Sequence, residues 1–189
     1  MWGSLSSMSA VELAFAAVWG AFWLFWLVAA FFAKQGRFAW SRQLRVRALI
    51  AVLAILLVRL GAFRHHALDH DPWRGGLGLV LLAMGLAFAI WARVNIGRNW
   101  GTPMTQKNDP ELVTSGPYRF VRHPIYSGIL LGGVGTAVAL GWQILALFGL
   151  SAIYFVYSAT VEEKFLTQQF PDDYPAYKRS SKMLVPYVF

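Results

Sequence analysis

IYSGILLGGVGTAVAL at residues 125–140 is followed by a single glycine and then by WQILALFGLSAIYFVYSATV at residues 142–161. Neither run carries a charged side chain, and each approaches the ~20 apolar residues with which a helix crosses a bilayer. Because the break between them is short and uncharged, we predict a helical hairpin with helices over Ile125–Leu140 and Trp142–Val161. Gly128 and Gly132 have the spacing that allows membrane helices to approach closely. This hairpin decides the fold class.

Three further apolar runs precede the hairpin, and they are predicted to span the membrane over Val11–Ala33, Leu44–Phe63 and Gly75–Ala92. The chain is 57% apolar and 14% charged, whereas soluble domains average about 45–50% and about 25%. We therefore predict an all-α integral membrane protein with about five transmembrane helices. Residues 1–189 form one membrane domain, with three spans in 1–92. Residues 93–189 supply a polar loop, the hairpin, an amphipathic cytoplasmic extension of the last helix and a tail.

The net charge of +8 follows the membrane topology. Basic residues adjoin the apolar spans, as the positive-inside bias produces, so the charge does not indicate a nucleic-acid partner. With five spans, this bias places the N-terminus outside and the C-terminus in the cytoplasm, which fits a multi-pass protein of a bacterial inner membrane. No Lys or Arg precedes Lys34, and the first apolar run is too long for a signal peptide, so we expect a retained first span. The chain has no cysteine, which excludes disulfides and thiolate catalysis.

The polar segment before the hairpin contains the first group of candidate functional residues. Gly116 and Pro117 indicate a turn, and Pro124 is suited to the first position of a helix. His123 then lies at a helix N-terminus, where backbone N–H groups and the helix dipole favour an anion. An alternative is that Arg119, Arg122 and His123 only anchor this helix end among lipid headgroups.

A pair of acids ends the last apolar helix. Tyr154, Ser158 and Glu162 follow each other at intervals of four, so we expect them to share one helix face. Glu162 and Glu163 lie on the side of the membrane where basic residues are favoured, which indicates a cationic or hydroxyl partner. The alternative is that the two carboxylates only mark the boundary with water.

A third cluster combines imidazole and carboxylate side chains in the short loop between the second and third spans. Its members are His65, His66, Asp69, His70 and Asp71. These are metal-ligating residue types, but the loop lies on the opposite side from the other polar groups. We predict no metal site and interpret the cluster as a solvated, pH-sensitive loop.

Two motifs carry a resemblance to a known family. LVTSGPY at residues 112–118 and RHPIYSG at residues 122–128, followed in the next helix by Glu162 and Glu163, resemble the isoprenylcysteine carboxyl methyltransferase and phospholipid methyltransferase family of membrane enzymes. The resemblance extends roughly over Gly97–Pro186. It implies methyl transfer from S-adenosylmethionine to a lipophilic or small acceptor that enters from the bilayer, at the cytoplasmic membrane face among membrane lipids.

The resemblance also implies roles for particular residues. Cofactor contacts are implied for Pro110, Glu111, Leu112, Val113, Tyr118, His123, Pro124, Ile125, Tyr126 and Glu162. Catalytic roles are implied for Glu162, Glu163 and Arg122, and contacts with the acceptor for Ser158 and Tyr154. Ser158 stands where the prenylcysteine enzymes have an Arg that is associated with the substrate carboxylate.

The class of acceptor stays open at this point. A carboxylate acceptor needs no base, whereas an amine or a thiol needs one, and Glu162 or Glu163 could serve. Two other functions also stay open: an NADPH-dependent enzyme similar to the sterol reductases, and a membrane protein without catalytic activity.

Overall fold

The computed structural model describes residues 9–32, 36–37, 48, 52–53, 72–101, 106–107 and 111–189. Five helices dominate this part of the chain: α1 Ala10–Ala30, α2 Pro72–Ile96, α3 Pro124–Leu140, α4 Ile144–Gln169 and α5 Asp173–Ser180. Short 3-10 turns form at Gly97–Asn99 and Gly116–Arg119. The two-residue strands β1, Gly36–Arg37, and β2, Gln106–Lys107, pair antiparallel with Gly36 opposite Lys107.

The helix lengths confirm an all-α integral membrane protein. Three helical segments, Ala10–Ala30, Trp73–Asn99 and Ile144–Gln169, are long and apolar enough to cross a bilayer, and Pro124–Leu140 is a shorter apolar helix. The α3–α4 hairpin was therefore predicted correctly. Most of the predicted span Leu44–Phe63 lies outside the described residues, so the count of five spans stays a prediction.

The histidine loop at residues 65–71 also lies outside the described residues. Within the part of the chain that the structure describes, no cluster of three or more His, Asp or Glu side chains could hold a metal ion.

Helix starts follow the local sequence. α1 begins with a capping box, in which the Ser9 hydroxyl accepts a hydrogen bond from the Glu12 N–H at 3.2 Å and the Glu12 carboxylate accepts one from the Ser9 N–H at 2.7 Å. α3 begins at Pro124, as predicted, with His123 as its N-cap. The first polar site residue is thus fixed directly to the start of a membrane helix.

The closest helix contact joins α2 to α3 through glycine. A Cβ atom built on Gly85 would lie 2.5 Å from the Gly128 carbonyl oxygen and 2.5 Å from the Gly132 nitrogen. One built on Gly78 would lie 2.5 Å from the Gly135 carbonyl oxygen. Only glycine allows backbones to touch in this way, and without a hydrophobic driving force in lipid such close packing is what holds membrane helices together.

α1 packs on this pair by aromatic side chains. Phe15 and Phe22 are buried, and the Trp19 indole N–H donates to the Thr136 hydroxyl of α3 at 3.1 Å. Because an indole N–H in an apolar layer needs an acceptor, this bond sets the rotation of α1. Trp23 and Trp26 then line the cavity described below.

The C-terminal tail contains a helix that the sequence analysis did not predict. α4 ends at Gln169, just before Pro171, and the chain then forms α5 over Asp173–Ser180. Pro175 does not prevent this helix, because it lies in the first turn, where backbone N–H groups have no partner within the helix.

We predict that Gly85→Ala destabilises the protein, because the added methyl group would meet backbone atoms that no side-chain rotation can move. The expected loss is about 1–3 kcal/mol, as for overpacked cores, measured as a lower thermal unfolding midpoint in detergent. Gly76→Ala, on the same helix but with no atom within 4 Å of the new Cβ, is the control and should leave the midpoint unchanged or raised. Equal midpoints for the two variants would show that the glycine contact does not support the fold.

Candidate active site

The loop before α3 is shaped by a glycine. Gly116 has φ +58°, and a Cβ atom there would meet the Asn95 side chain at 2.6 Å. This left-handed residue starts the 3-10 turn Gly116–Arg119, which buries Tyr118. The Tyr118 carbonyl accepts a hydrogen bond from the Tyr177 hydroxyl at 2.6 Å, so the loop is tied to α5.

Glu162 is held by two residues at the start of α3. The Tyr126 hydroxyl donates to Glu162 Oε1 at 2.6 Å, and His123 Nδ1 lies 3.5 Å from Glu162 Oε2. The His123, Tyr126 and Phe155 rings form a parallel stack, with centroids 5.5 Å and 4.4 Å apart. The stacked rings fix the orientation of the Tyr126 phenol, and the hydrogen bond from this phenol fixes the position of the Glu162 carboxylate.

Glu163, the next residue, is buried and surrounded by cations. Its Oε1 lies 2.7 Å from Arg122 Nε and its Oε2 lies 2.7 Å from Lys178 Nζ. The side chain is only 3% exposed, and a buried carboxylate is stable only when it is paired in this way. Its cationic partners come from α5 and from the loop before α3, which are distant from it in the sequence.

His123 lies between the two acids. Burial lowers the pKa of its imidazole, but the neighbouring carboxylates of Glu162 and Glu163 more than reverse this, so the pKa lies above the ordinary value. Its Nε2 is 3.5 Å from Glu163 Oε1 and has no hydrogen-bond partner among the described residues, so this contact is an attraction between charges. Because the folded-state pKa is raised, this contribution to stability is present at low pH and is lost as the pH rises through that value.

Backbone hydrogen bonds fasten the tail to the loop before α3. The Arg122 N–H donates to the Lys182 carbonyl at 2.8 Å and the His123 N–H donates to the Met183 carbonyl at 3.1 Å. The Arg122 guanidinium also donates to the Ser181 carbonyl. The tail therefore caps this end of the molecule.

Two tyrosines of α5, Tyr174 and Tyr177, reach the cavity beneath this cap. Burial raises the pKa of Tyr177 to about 12, so its hydroxyl remains a hydrogen-bond donor at physiological pH.

A cavity of about 290 Å³ lies between α1, the end of α2, the loop before α3, and α4. α4 lines it with Phe155, Glu162 and Gln169. Residues seven apart on a helix are about 10 Å apart and lie on almost the same face. Over about 20 Å along α4, the side chains that line the cavity therefore change from aromatic (Phe155) to acidic (Glu162) to amide (Gln169).

Most of the predicted cofactor residues line this cavity. They are Glu111, Leu112, Val113, Tyr118, His123, Ile125, Tyr126 and Glu162, and the predicted catalytic Arg122 lines it with them. Pro124 is buried as the first residue of α3, and Pro110 lies outside the described residues.

Three other predicted residues are not among the residues that line the cavity. Glu163 turns to its cations, Ser158 is fully buried, and Tyr154 is also absent from the cavity lining. The reason is rotation: a step of four residues advances about 40° beyond a full turn, so Tyr154 is turned by about 80° from Glu162. A step of seven falls only about 20° short of two turns, and Phe155 and Gln169 therefore share the face of Glu162.

The aromatic wall was missed in the sequence. Trp23 and Trp26 of α1 line the cavity together with Trp100, and the Trp26 and Trp100 rings meet edge to face at 5.7 Å. The Arg93 guanidinium lies 4.7 Å from the Trp100 ring and donates to the Ala29 carbonyl at 2.5 Å. The helical spacing of the tryptophans on α1 is a signal that could have found this face.

Comparison with known proteins agrees with this architecture. Residues 73–173 match the model of the family described as phospholipid methyltransferase. Protein-S-isoprenylcysteine O-methyltransferase A of Arabidopsis thaliana is 32% identical over 75% of this chain and 74% of its own length. The cobalt-zinc-cadmium resistance protein CzcN of Cupriavidus metallidurans is 33% identical over 71% of this chain and 58% of its own. Steroid 5-alpha-reductase DET2 of Solanum lycopersicum is 28% identical over 74% of this chain and 56% of its own.

The chain belongs to the phospholipid methyltransferase family. It is a membrane methyltransferase of the kind that includes the isoprenylcysteine enzymes, and membership implies a methyl donor. The matched residues run from the second residue of α2 to the first of α5 and so contain the Tyr126–Glu162 contact. α1, which supplies Trp23 and Trp26 to the cavity wall, lies outside the match.

We predict that Glu163→Gln releases the tail, because an uncharged amide cannot balance Arg122 and Lys178. Breaking a buried pair costs about 3 kcal/mol, so we expect faster tryptic cleavage after Lys178, Arg179 and Lys182 and a lower unfolding midpoint. Glu162→Gln, one residue away on the face that lines the cavity, is the matched control and should keep the cleavage rate of the parent protein. Equal cleavage of both variants would contradict the role of Glu163.

Proposed function

We propose that this protein transfers a methyl group from S-adenosylmethionine to a lipophilic acceptor at the cytoplasmic membrane face. The observation that carries the proposal is the carboxylate of Glu162, held by Tyr126 and His123, in the wall of a cavity whose opposite side is aromatic. Such a cavity is suited to a cationic donor and an apolar acceptor together.

The cavity residues fit the chemistry of the donor. S-adenosylmethionine, when bound, supplies an electrophilic methyl group on a positively charged sulfur. Glu162 can balance that charge, and the faces of Trp26, Trp100 and Phe155 favour a nearby cation. The start of α3 borders the cavity at Ile125 and Tyr126, and the N-terminus of a helix favours a carboxylate such as that of the donor.

Protein groups contribute mainly by positioning and by excluding water. In the transition state the positive charge would be spread between sulfur and the acceptor atom, so an apolar wall favours the transfer over the starting state, in which the charge is localised on sulfur. Alignment of donor and acceptor supplies the rest. We assign Arg122 and Glu163 to positioning within this scheme: they hold the tail that covers the cavity, while Glu162 faces the reacting groups.

The charges in the cavity favour an amine over a carboxylate or a thiol as acceptor. Among the described residues that line it, the groups able to carry positive charge are Arg122 and His123, and both already face acids. A carboxylate or a thiolate would meet Glu162 without a free cation. An ammonium can instead give a proton to Glu162, attack the methyl carbon with its nitrogen lone pair, and leave as the methylated ammonium while the sulfur keeps the C–S electron pair.

The apolar end of the cavity indicates how the acceptor enters. Trp23, Ile129 and Phe155 lie within helices that cross the apolar layer, so a hydrocarbon chain can reach Glu162 sideways from lipid. Ser158 and Tyr154 stay proposed contacts of this acceptor, although neither is among the residues that line the described cavity. The proposal places the N-terminus outside and the site in the cytoplasm of a bacterial inner membrane, because basic residues surround the loops on that side.

The similarity to a steroid reductase keeps a nicotinamide-dependent reduction as the second candidate. The cavity favours it less, because a dinucleotide brings several phosphates to a wall that contains Glu111 and Glu162. A direct comparison of the two cofactors separates the functions.

We predict saturable binding of S-adenosylmethionine and of S-adenosylhomocysteine to the purified protein by calorimetry, and none of NADPH. Glu162→Gln should weaken binding of the charged donor about 10- to 100-fold, as expected when a charge-assisted contact is lost. Lys164→Gln, an exposed change on the same helix, is the control and should bind like the parent. Binding of NADPH alone would favour the reductase, and binding of neither would indicate a protein without this catalysis.

We predict that the protein methylates dodecylamine in preference to dodecanethiol and dodecanoic acid, which share one hydrocarbon chain and differ only in the head group. The assay follows transfer of a radiolabelled methyl group. A methyl ester releases labelled methanol in alkali, whereas an N-methyl product does not, so the product class is read directly. A preference for dodecanoic acid would refute the assignment of an amine while leaving methyl transfer intact.

A further inference from the structure

The last residues of the described tail form a closed apolar loop on the surface. The Val185 and Leu184 N–H groups both donate to the Phe189 carbonyl, at 2.6 and 2.7 Å, and the Phe189 N–H donates to the Val185 carbonyl at 3.1 Å. Tyr187 and Val188 at its tip are 88% and 74% exposed. Tyr187 also has φ +66°, a conformation that a tyrosine adopts only when its surroundings impose it. We call Val185–Phe189 the terminal loop.

The terminal loop is attached at the edge of the apolar layer. The Leu184 carbonyl, next to the loop, accepts a hydrogen bond from the Ser127 hydroxyl at 2.6 Å. Ser127 lies in the first turn of α3, where the polar loop ends and the apolar helix begins. We therefore expect the exposed side chains to lie near the level where lipid headgroups meet hydrocarbon.

The surroundings of the terminal loop are basic. Arg179 and Lys182 are exposed beside it in the chain, and residues 174–189 contain no acid. The nearest acids in the sequence, Asp172 and Asp173, lie at the opposite end of α5, about 12 Å away along an eight-residue helix. Apolar side chains flanked by cations are what peripheral membrane anchors present to anionic lipid.

We propose that the terminal loop inserts into the headgroup region of anionic lipids, with Tyr187 and Val188 at the boundary between headgroups and acyl chains and Arg179 and Lys182 against phosphates. This surface is separate from the methyl-transfer site, and the proposal does not depend on the reaction. Because the same tail supplies Tyr174 and Tyr177 to the cavity, contact of the terminal loop with lipid also holds the tail over the cavity.

The absence of cysteine from the sequence makes a site-specific test direct. Val188→Cys carries an environment-sensitive fluorophore in the full-length protein, reconstituted in vesicles of phosphatidylcholine alone or mixed with phosphatidylglycerol. We expect a blue-shifted emission and a loss of iodide quenching at position 188 in the mixed vesicles. Asp173→Cys, at the far end of α5, is the control and should stay quenched. Equal quenching at both positions in the mixed vesicles would overturn the proposal.

A separate variant tests how much the basic residues contribute to contact with anionic lipid. Arg179→Gln combined with Lys182→Gln, in the Val188→Cys protein, should restore iodide quenching in the mixed vesicles, whereas the unfolding midpoint should not change, because both side chains are exposed. Protection that is the same in pure phosphatidylcholine and in the double variant would overturn the preference for anionic lipid. A disulfide between two Val188→Cys chains in the mixed vesicles would show that a second copy, and not lipid, covers the loop.

Discussion

The buried carboxylate of Glu163 is the contact on which the arrangement of the site depends. Arg122, Lys178 and His123 come from the loop before α3 and from α5, and they converge on this one group. None of the three is near Glu163 in the sequence, so the ion pairs bring together segments that local structure would leave apart. An unpaired charge is very costly at a buried position. Only an acid therefore fits here, because a neutral or positively charged residue would leave the cations uncompensated.

Helix geometry explains why two adjacent glutamates do different work. Neighbouring residues on a helix point about 100° apart, so when Glu163 faces the cations, Glu162 must face the cavity. There the phenol of Tyr126 and the ring of His123 hold it. His123 contacts both acids, so one imidazole connects the ion pairs that hold the tail with the wall of the cavity. A change in the charge of His123 therefore acts on the position of the tail and on the electrostatics of the cavity together.

The sequence allowed much of this to be predicted. Apolar runs predicted the ends of α2, α3 and α4 approximately, and Pro124 predicted the start of α3. The family resemblance put Tyr126 and Glu162 in one site, and the structure brings them within 2.6 Å. What failed was the choice of faces. Spacing shows which residues share a helix face, but it does not show which segment of the protein that face contacts. The prediction used the four-residue spacing of Tyr154, Ser158 and Glu162, whereas the residues of α4 that line the cavity are spaced seven apart. The tail helix and the aromatic wall were missed because both depend on contacts between segments distant in the chain.

The glycine contact between α2 and α3 and the tryptophans of α1 have complementary effects on the cavity. Gly85 and Gly128 bring two backbones into contact, which leaves no room between α2 and α3 for a ligand. Trp23 and Trp26, by contrast, have large side chains that keep α1 apart from α4, and the space left between these helices is the cavity. Small residues on one side and large ones on the other thus place the opening between α1 and α4. The amphiphilic acceptor and the water-soluble donor that we propose would need such an opening, since each would reach Glu162 from its own phase.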